Sequence, residues 1–368
     1  MTNLTHKSVS IDALWEFGSD FHYLPEFMTE ITRELPWQDG NLYSTGRGAL
    51  IELIEFLERN CEFKKDQSVI WIPAYTCYEL AKPLVENNYR VAFYDGSPSS
   101  DWNLPDKLFS KGDIWILCNY FGSVVPGRET TKTAQDYGVI VIEDHSHAPL
   151  GVLSRNSNAD YCFASLRKTL PLADGGILWS PAERPLPSSK TERYDPSRRV
   201  AAMLGKKQYL ENGTFSKEIY RQWLTEAEEH LGNNIHLNIS EFSKRILTNL
   251  NYSQWNEIRI RNSNILAENI RNNSSFKIIK NLIPDDAMGI VLHFCNQEMR
   301  DTFRDYLINL KIYTAVLWPL HPSVGFDLYP SASDFRSKMV FLPTDARYSI
   351  VDIKIVSEAI SHFVGEND

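Results

Sequence analysis

Nowhere does this chain approach the about 18 uninterrupted apolar residues of a membrane span, and Met1 to Asp20 has no basic stretch leading into an apolar one. Neither insertion nor export is expected. Cysteine is scarce: Cys61, Cys77, Cys118, Cys162 and Cys295 are odd in number, widely spaced and form no CxxC pair. That excludes a disulfide framework and a structural zinc site, and the five read as reduced thiols of a cytoplasmic protein. Basic residues form no run longer than pairs such as Arg198-Arg199, and the net charge of -9 is spread along the chain. The footprint of a nucleic-acid binder is therefore missing. None of the nine histidines falls in an HExxH or comparable spacing, and no GxGxxG follows a strand. A metal site, a nucleophile triad and a Rossmann dinucleotide site are not expected.

What remains is an ordinary globular composition, 43% hydrophobic and 12% aromatic over 368 residues. That is enough for one large core or two smaller ones, and it favours a small-molecule partner. From Ser44 to Trp179 short apolar runs alternate with helix-like segments, the pattern of βαβ units in a mostly parallel sheet. The periodicity predicts helices near Gly48–Glu58, Cys77–Glu86 and Thr130–Tyr137. Strands are predicted near Val69–Ile72, Arg90–Tyr94, Ile114–Cys118, Val139–Glu143, Tyr161–Ala164 and Gly176–Trp179. A Pro, Ser, Lys and Arg-rich run breaks the pattern between Ser180 and Lys207. Helices at Lys217–His230 and Glu241–Ile270 follow, the second linking to a smaller α+β unit with strands near Phe276–Ile279 and Gly289–Phe294 and helices at Gln297–Leu310 and Ile350–Phe363.

Two places carry chemistry. In Val139-Ile-Val-Ile-Glu-Asp144-His-Ser-His147 a buried apolar run ends in a carboxylate at the C-terminal edge of a strand, the ligand side of an open parallel sheet. In Ser165-Leu-Arg167-Lys168, followed by Gly175-Gly176, a lysine sits between two short strands with a hydroxyl three residues before it. Alone, each has an ordinary reading, as a surface lysine or a turn-forming aspartate. Together they supply what carbanion chemistry on an amino acid needs: an amine to form an imine, and an anion to keep a pyridine nitrogen protonated.

A third element is Ser44-Thr45-Gly46-Arg47-Gly48 ahead of an apolar helix. A helix N-terminus favours a phosphate, and glycines let backbone approach it, so Gly46 and Arg47 are candidates for that cradle. A plain N-cap turn explains the same residues. Ser165 can add a hydroxyl, and Arg167 either a guanidinium or a solvent-facing ion pair.

With Ile72-Pro-Ala-Tyr75-Thr, and weaker echoes in Trp318-Pro-Leu-His321-Pro and Phe341-Leu-Pro-Thr-Asp345, these segments resemble the fold-type I (aspartate-aminotransferase-like) pyridoxal-phosphate enzymes. Within them the likeness is to the sugar aminotransferases called DegT/DnrJ/EryC1/StrS. It spans roughly residues 40 to 365 in order. It implies an α/β fold with an N-terminal segment (1–40), a large cofactor domain with a mostly parallel sheet (41–250) and a smaller α+β C-terminal domain (251–368).

The resemblance further implies pyridoxal 5'-phosphate as cofactor, in Schiff-base linkage with Lys168, which also carries the proton between Cα and the cofactor. Asp144 would meet the pyridinium and His147 the phenolic oxygen, although His147 can also be read as packed under Pro149-Leu150. Tyr75 would stack on the ring, or be one more core aromatic; His145 reads as structural. Trp318, His321 and Arg347 could line the site or be ordinary structure of the smaller domain.

Two departures stand out. The hydroxyl precedes Lys168 by three residues, not the family's usual five, and His236 and Asn238 replace an Asn and an Arg that reach the neighbouring subunit. The expected activity is amino transfer from L-glutamate or a similar donor to a keto-sugar, nucleotide-linked, in a homodimer. A different bond-breaking reaction, or a non-catalytic binding protein of the same fold, stays open. The retained Lys168 argues against the family's dehydratase branch.

Overall fold

The computed structural model describes residues 14–30, 35–37, 39–98, 109–122, 128–270, 273–279, 288–318 and 328–367; His321 lies outside them. After β1 (Phe17–Gly18) and β2 (Asn41–Tyr43) the chain enters α1 (Gly46–Arg59). Next come β3 (Ile70–Pro73), α2 (Tyr78–Glu86), β4 (Val91–Tyr94), β5 (Ile114–Cys118), α3 (Arg128–Asp136), β6 (Ile140–Asp144), the single turn α4 (Val152–Arg155), β7 (Tyr161–Ser165) and β8 (Gly176–Trp179).

Seven strands form one sheet in the order β4-β3-β5-β6-β7-β8-β2. β4, β3, β5, β6 and β7 run parallel to one another, while β8 is antiparallel to both β7 and β2. This is the expected α/β class. Side chains alternate between two apolar layers, as the two-residue period of a strand requires. Ile114, Ile116, Ile140, Ile142, Tyr161 and Phe163 join the layer that contains α1. Trp115, Leu117, Val141, Cys162 and Ala164 join the opposite one. The same parity puts Asp144 and Ser165, the last residues of β6 and β7, on the α1 side of the sheet edge.

The rest of the chain comprises α5 (Ser197–Asn212), α6 (Lys217–Gly232), α7 (Glu241–Asn249), α8 (Tyr252–Asn269), β9 (Phe276–Ile279), β10 (Gly289–Phe294), α9 (Gln297–Asn309), β11 (Ile312–Tyr313), α10 (Pro330–Lys338), β12 (Met339–Pro343) and α11 (Ile350–Asn367). β12, β10 and β9 make an antiparallel sheet, and β1 pairs in parallel with β11. Two sequence expectations fail here. A helix, α5, starts at Ser197, inside the Ser180–Lys207 run read as a break. The helix expected over Glu241–Ile270 is two, because Leu250 turns extended and Asn251 starts a new helix by accepting the Gln254 N–H. Among the described residues no helix is long and apolar enough to cross a membrane.

Candidate active site

The edge where β6 and β7 end meets the start of α1, and three close backbone approaches bring it there. A Cβ on Gly176 would lie 2.2 Å from the Thr45 carbonyl, one on Gly48 1.8 Å from Ile235 O, and one on Gly46 2.9 Å from Ser165 N. These glycines let the chain segments pack closely. Thr45 caps the helix by accepting the Gly48 N–H at 2.9 Å. The N–H groups of Gly46 and Arg47 then remain, with no acceptor inside a helix that begins with them. Both residues line a cavity of about 130 Å³.

Asp144, Ser165 and Lys168 line that same cavity. Asp144 Oδ1 accepts the Ser146 N–H at 2.8 Å, and Ser146 Oγ accepts the Ser165 N–H at 2.8 Å, which stitches the ends of β6 and β7 together. Lys168 ends a one-turn 3-10 helix, Leu166–Lys168, anchored by fully buried Leu166 and by its N–H to Gly175 O at 3.0 Å. Behind it, Asp174 accepts from both Ser240 and Ser243, tying the loop after the lysine to the start of α7.

A second cavity, of about 370 Å³, shares Arg167, Lys168 and Trp318 with the first. His147 lines this larger one. Its Nδ1 accepts the Phe121 backbone N–H at 3.0 Å, and its ring stacks on Trp318 with centroids 5.3 Å apart. Burial, helped by the positive charge of Lys168, pushes the His147 pKa down to about 3. The ring is therefore neutral at pH 7 with its proton on Nε2.

Tyr75 is placed differently from its expected role as a stacking ring. It lines neither cavity. It is buried between Tyr120 and Phe335, and its hydroxyl donates to Leu317 O at 2.6 Å. Its own turn contributes Thr76 and Cys77 to the smaller cavity instead, and the aromatic residues lining it are Phe163 and Trp318. Thr76, Cys77 and Ser146 were not singled out in the sequence, since nothing but their position next to strand ends marks them.

Arg167 pairs with Glu228 at 2.5 Å and lines both cavities. Arg47 pairs with Glu79 of α2. His236 meets Glu52 at 3.2 Å, a hydrogen bond that raises its pKa. Asn238 donates to Lys190 O at 2.7 Å. Neither lines either of these two cavities.

On the opposite face of β6 lie His145 and Glu143, with His145 Nε2 and Glu143 Oε2 2.8 Å apart and His145 Nδ1 3.0 Å from Asn119 Nδ2. With Cys162 they form a buried trio compact enough for a metal ion. Their polar atoms are already engaged with one another and, for Cys162, with Ser157.

No family model matches the chain, and no curated protein matches it in sequence. Solved structures do match. A putative sugar aminotransferase, Spr1654 from Streptococcus pneumoniae in its PLP form, is 12% identical, with a TM-score of 0.62 over 96% of this chain and 99% of that one. PseC from Helicobacter pylori, an aminotransferase involved in the biosynthesis of pseudoaminic acid, is 14% identical at a TM-score of 0.61, covering 96% and 100%. The sugar aminotransferase CalS13 from Micromonospora echinospora is 16% identical at 0.59, covering 88% and 87%. The chain has the fold of these aminotransferases.

Proposed function

We propose that the protein is a pyridoxal-phosphate-dependent aminotransferase that passes an amino group from an amino acid such as L-glutamate to a keto-sugar, nucleotide-linked, as a homodimer. The observation that carries this reading is that Lys168, Asp144, Ser165 and the start of α1 line one cavity. The residues fit the cofactor. The Gly46 and Arg47 N–H groups and the Ser165 hydroxyl suit a phosphate dianion. Asp144 suits a ring N–H, and the His147 Nε2–H, beside Lys168, suits an anionic phenolic oxygen.

When bound, the cofactor supplies an aldehyde and an electron-accepting ring. The chain's residues do the rest. Lys168 Nζ would be the amine that holds that aldehyde, and as a free amine it would move the proton at the substrate carbon. Asp144 keeps a cation beside it protonated. Lys168 and Trp318 line both cavities, so a substrate in the larger one would lie beside Lys168.

The test is optical. Purified protein with added pyridoxal phosphate should be yellow, and borohydride should bleach it and leave a cofactor-sized mass on the peptide carrying Lys168. Lys168→Ala should not be labelled, and amino transfer from glutamate to keto-sugars should be lost with it. A colourless wild type that ignores the cofactor sinks the reading in favour of a binding protein of the same fold. Mass measurement in solution checks the dimer.

A further inference from the structure

Behind Asp144, on the face of β6 turned away from the cofactor cavity, three polar side chains form a buried chain. Glu143 Oε2 and His145 Nε2 are 2.8 Å apart, and His145 Nδ1 is 3.0 Å from Asn119 Nδ2. With the amide as donor, Nδ1 is the acceptor and the Nε2–H donates to Glu143. The surroundings are apolar. Two residues before Asn119 and Glu143 stand Leu117 and Val141, both fully buried, and the His145 ring lies 5.7 Å from that of Trp179. Polar groups in such a layer add little or nothing to stability over apolar ones of the same size, even when paired. Here one is left over as well, since Asn119 Oδ1 finds no partner among the described residues. Stability alone does not account for the chain.

Its geometry does. Glu143 and His145 flank Asp144 in sequence, and a bond between the side chains of two residues on one face restrains the backbone angles of the residue between them. It thereby fixes the direction in which that residue's own side chain leaves the other face. The restraint falls where it is needed, because Asp144 is the last residue of β6 and the ladder ends there. Asn119 N–H donates to Asp144 O at 2.9 Å, and His145 N–H to Phe163 O at 2.8 Å. Asn119 therefore holds Asp144 twice, directly by its backbone and through His145 by its side chain. It also opens the turn from which Phe121 N–H reaches His147 Nδ1 at 3.0 Å.

We propose that Asn119, His145 and Glu143 are positioning residues: by fixing the backbone of Asp144 at the end of β6, they aim its carboxylate at the ring nitrogen of the cofactor. None of the three lines either cavity, so they act only through Asp144. The inference rests on the reading of Lys168 and Asp144 as a pyridoxal-phosphate site and deepens it.

The test compares pyridoxal phosphate with its 1-deaza analogue, which has a C–H in place of the ring nitrogen and so offers Asp144 no N–H to hold. Absorbance titration of the cofactor-free protein gives both affinities. Wild type should prefer pyridoxal phosphate by about tenfold or more, the size of a charge-assisted hydrogen bond, and Asp144→Ala should erase that preference. His145→Leu should cut the preference about three- to tenfold with affinity for the analogue unchanged, and His145→Gln, which can still donate to Glu143, should restore part of it. Val141→Ala, which opens a cavity on the same face of the same strand, should lower the urea midpoint and leave the preference alone. Asn119→Ala spares the Glu143–His145 bond and decides the matter if His145→Leu does not fold. An unchanged preference, equal weakening of both cofactors, or a preference that Val141→Ala cuts as deeply overturns the proposal and leaves the three residues as packing. A wild type that binds both cofactors equally removes Asp144 from the ring nitrogen, and the proposal with it. One that binds neither sinks the functional reading itself.

Discussion

His147 Nδ1 accepts the backbone N–H of Phe121 at 3.0 Å, and that bond decides which ring nitrogen carries the proton. With Nδ1 occupied as an acceptor, the neutral imidazole has its hydrogen on Nε2. Burial keeps the ring neutral, and stacking on Trp318 fixes its plane. The residue is therefore a one-sided donor, suited to an anionic oxygen and unsuited to proton transfer near pH 7.

A donor can be replaced by a donor. His147→Gln should keep pyridoxal-phosphate affinity within a few-fold, whereas His147→Leu should lower it about tenfold, the equivalent of one hydrogen bond. Absorbance titration of the refolded apoprotein measures both. Equal affinity in the Leu variant would remove His147 from the site.

The same burial makes the fold acid-sensitive. His147 and His22 are both held near a pKa of about 3, from an ordinary value of 6.5, chiefly by burial. The unfolded chain binds more protons than the folded one between those values. Stability is thus fully present above about pH 6.5 and is lost as pH falls toward 3, by up to about 1.4 kcal/mol per pH unit for each ring. Urea midpoints should drop between about pH 7 and pH 5, and His147→Gln should flatten the drop. A midpoint independent of pH in that range contradicts the burial of both rings.

Tight backbone packing at the helix start is testable separately from chemistry. Gly48→Ala places a methyl against Ile235 O, and Gly176→Ala places one against the Thr45 carbonyl. Each should cost about 1–3 kcal/mol, the range for overpacking a close contact, and each should weaken cofactor binding by moving the Gly46 and Arg47 N–H groups. Urea unfolding with a paired cofactor titration checks this. Loss of binding with stability unchanged would mean that the glycines meet the ligand rather than the chain.

The buried strands were legible because both faces of the large sheet are covered, so β5, β6 and β7 read as near-continuous apolar runs. Asp144, Ser165 and Lys168 were legible for a related reason, each lying at or just after the end of such a run. α5 was not: it opens with Ser197-Arg198-Arg199, and it packs on α6 and, at Gly205, on Phe215 in the turn before α6. The larger cavity was invisible as well. Its residues come from places as far apart as Asp20, Arg199, Arg259 and Arg347, and only the β1–β11 pairing and the turn it feeds bring the first beside the last. Tyr75 was left with two readings, since its position after β3 does not say which way its ring points.

The surroundings of Tyr75 and Trp318 separate two aromatic residues in a testable way. Tyr75 ties β3's outgoing turn to Leu317 O at 2.6 Å, next to Trp318, whose own carbonyl accepts from Arg336 Nε at 3.0 Å. Tyr75→Phe removes a buried hydrogen bond but keeps the ring, so it should cost about 1 kcal/mol of stability with little change in cofactor affinity. Trp318→Ala removes the wall common to both cavities and the face that His147 stacks on. It should leave stability nearly intact, because Trp318 is only partly buried, while kcat/KM falls about 10- to 100-fold, as for loss of 1.5–3 kcal/mol of contact. Denaturation and steady-state kinetics on the two variants give the comparison. If Tyr75→Phe instead lost the cofactor and Trp318→Ala kept full activity, Tyr75 would be the ring that faces the ligand and the wall assigned here to Trp318 would be wrong.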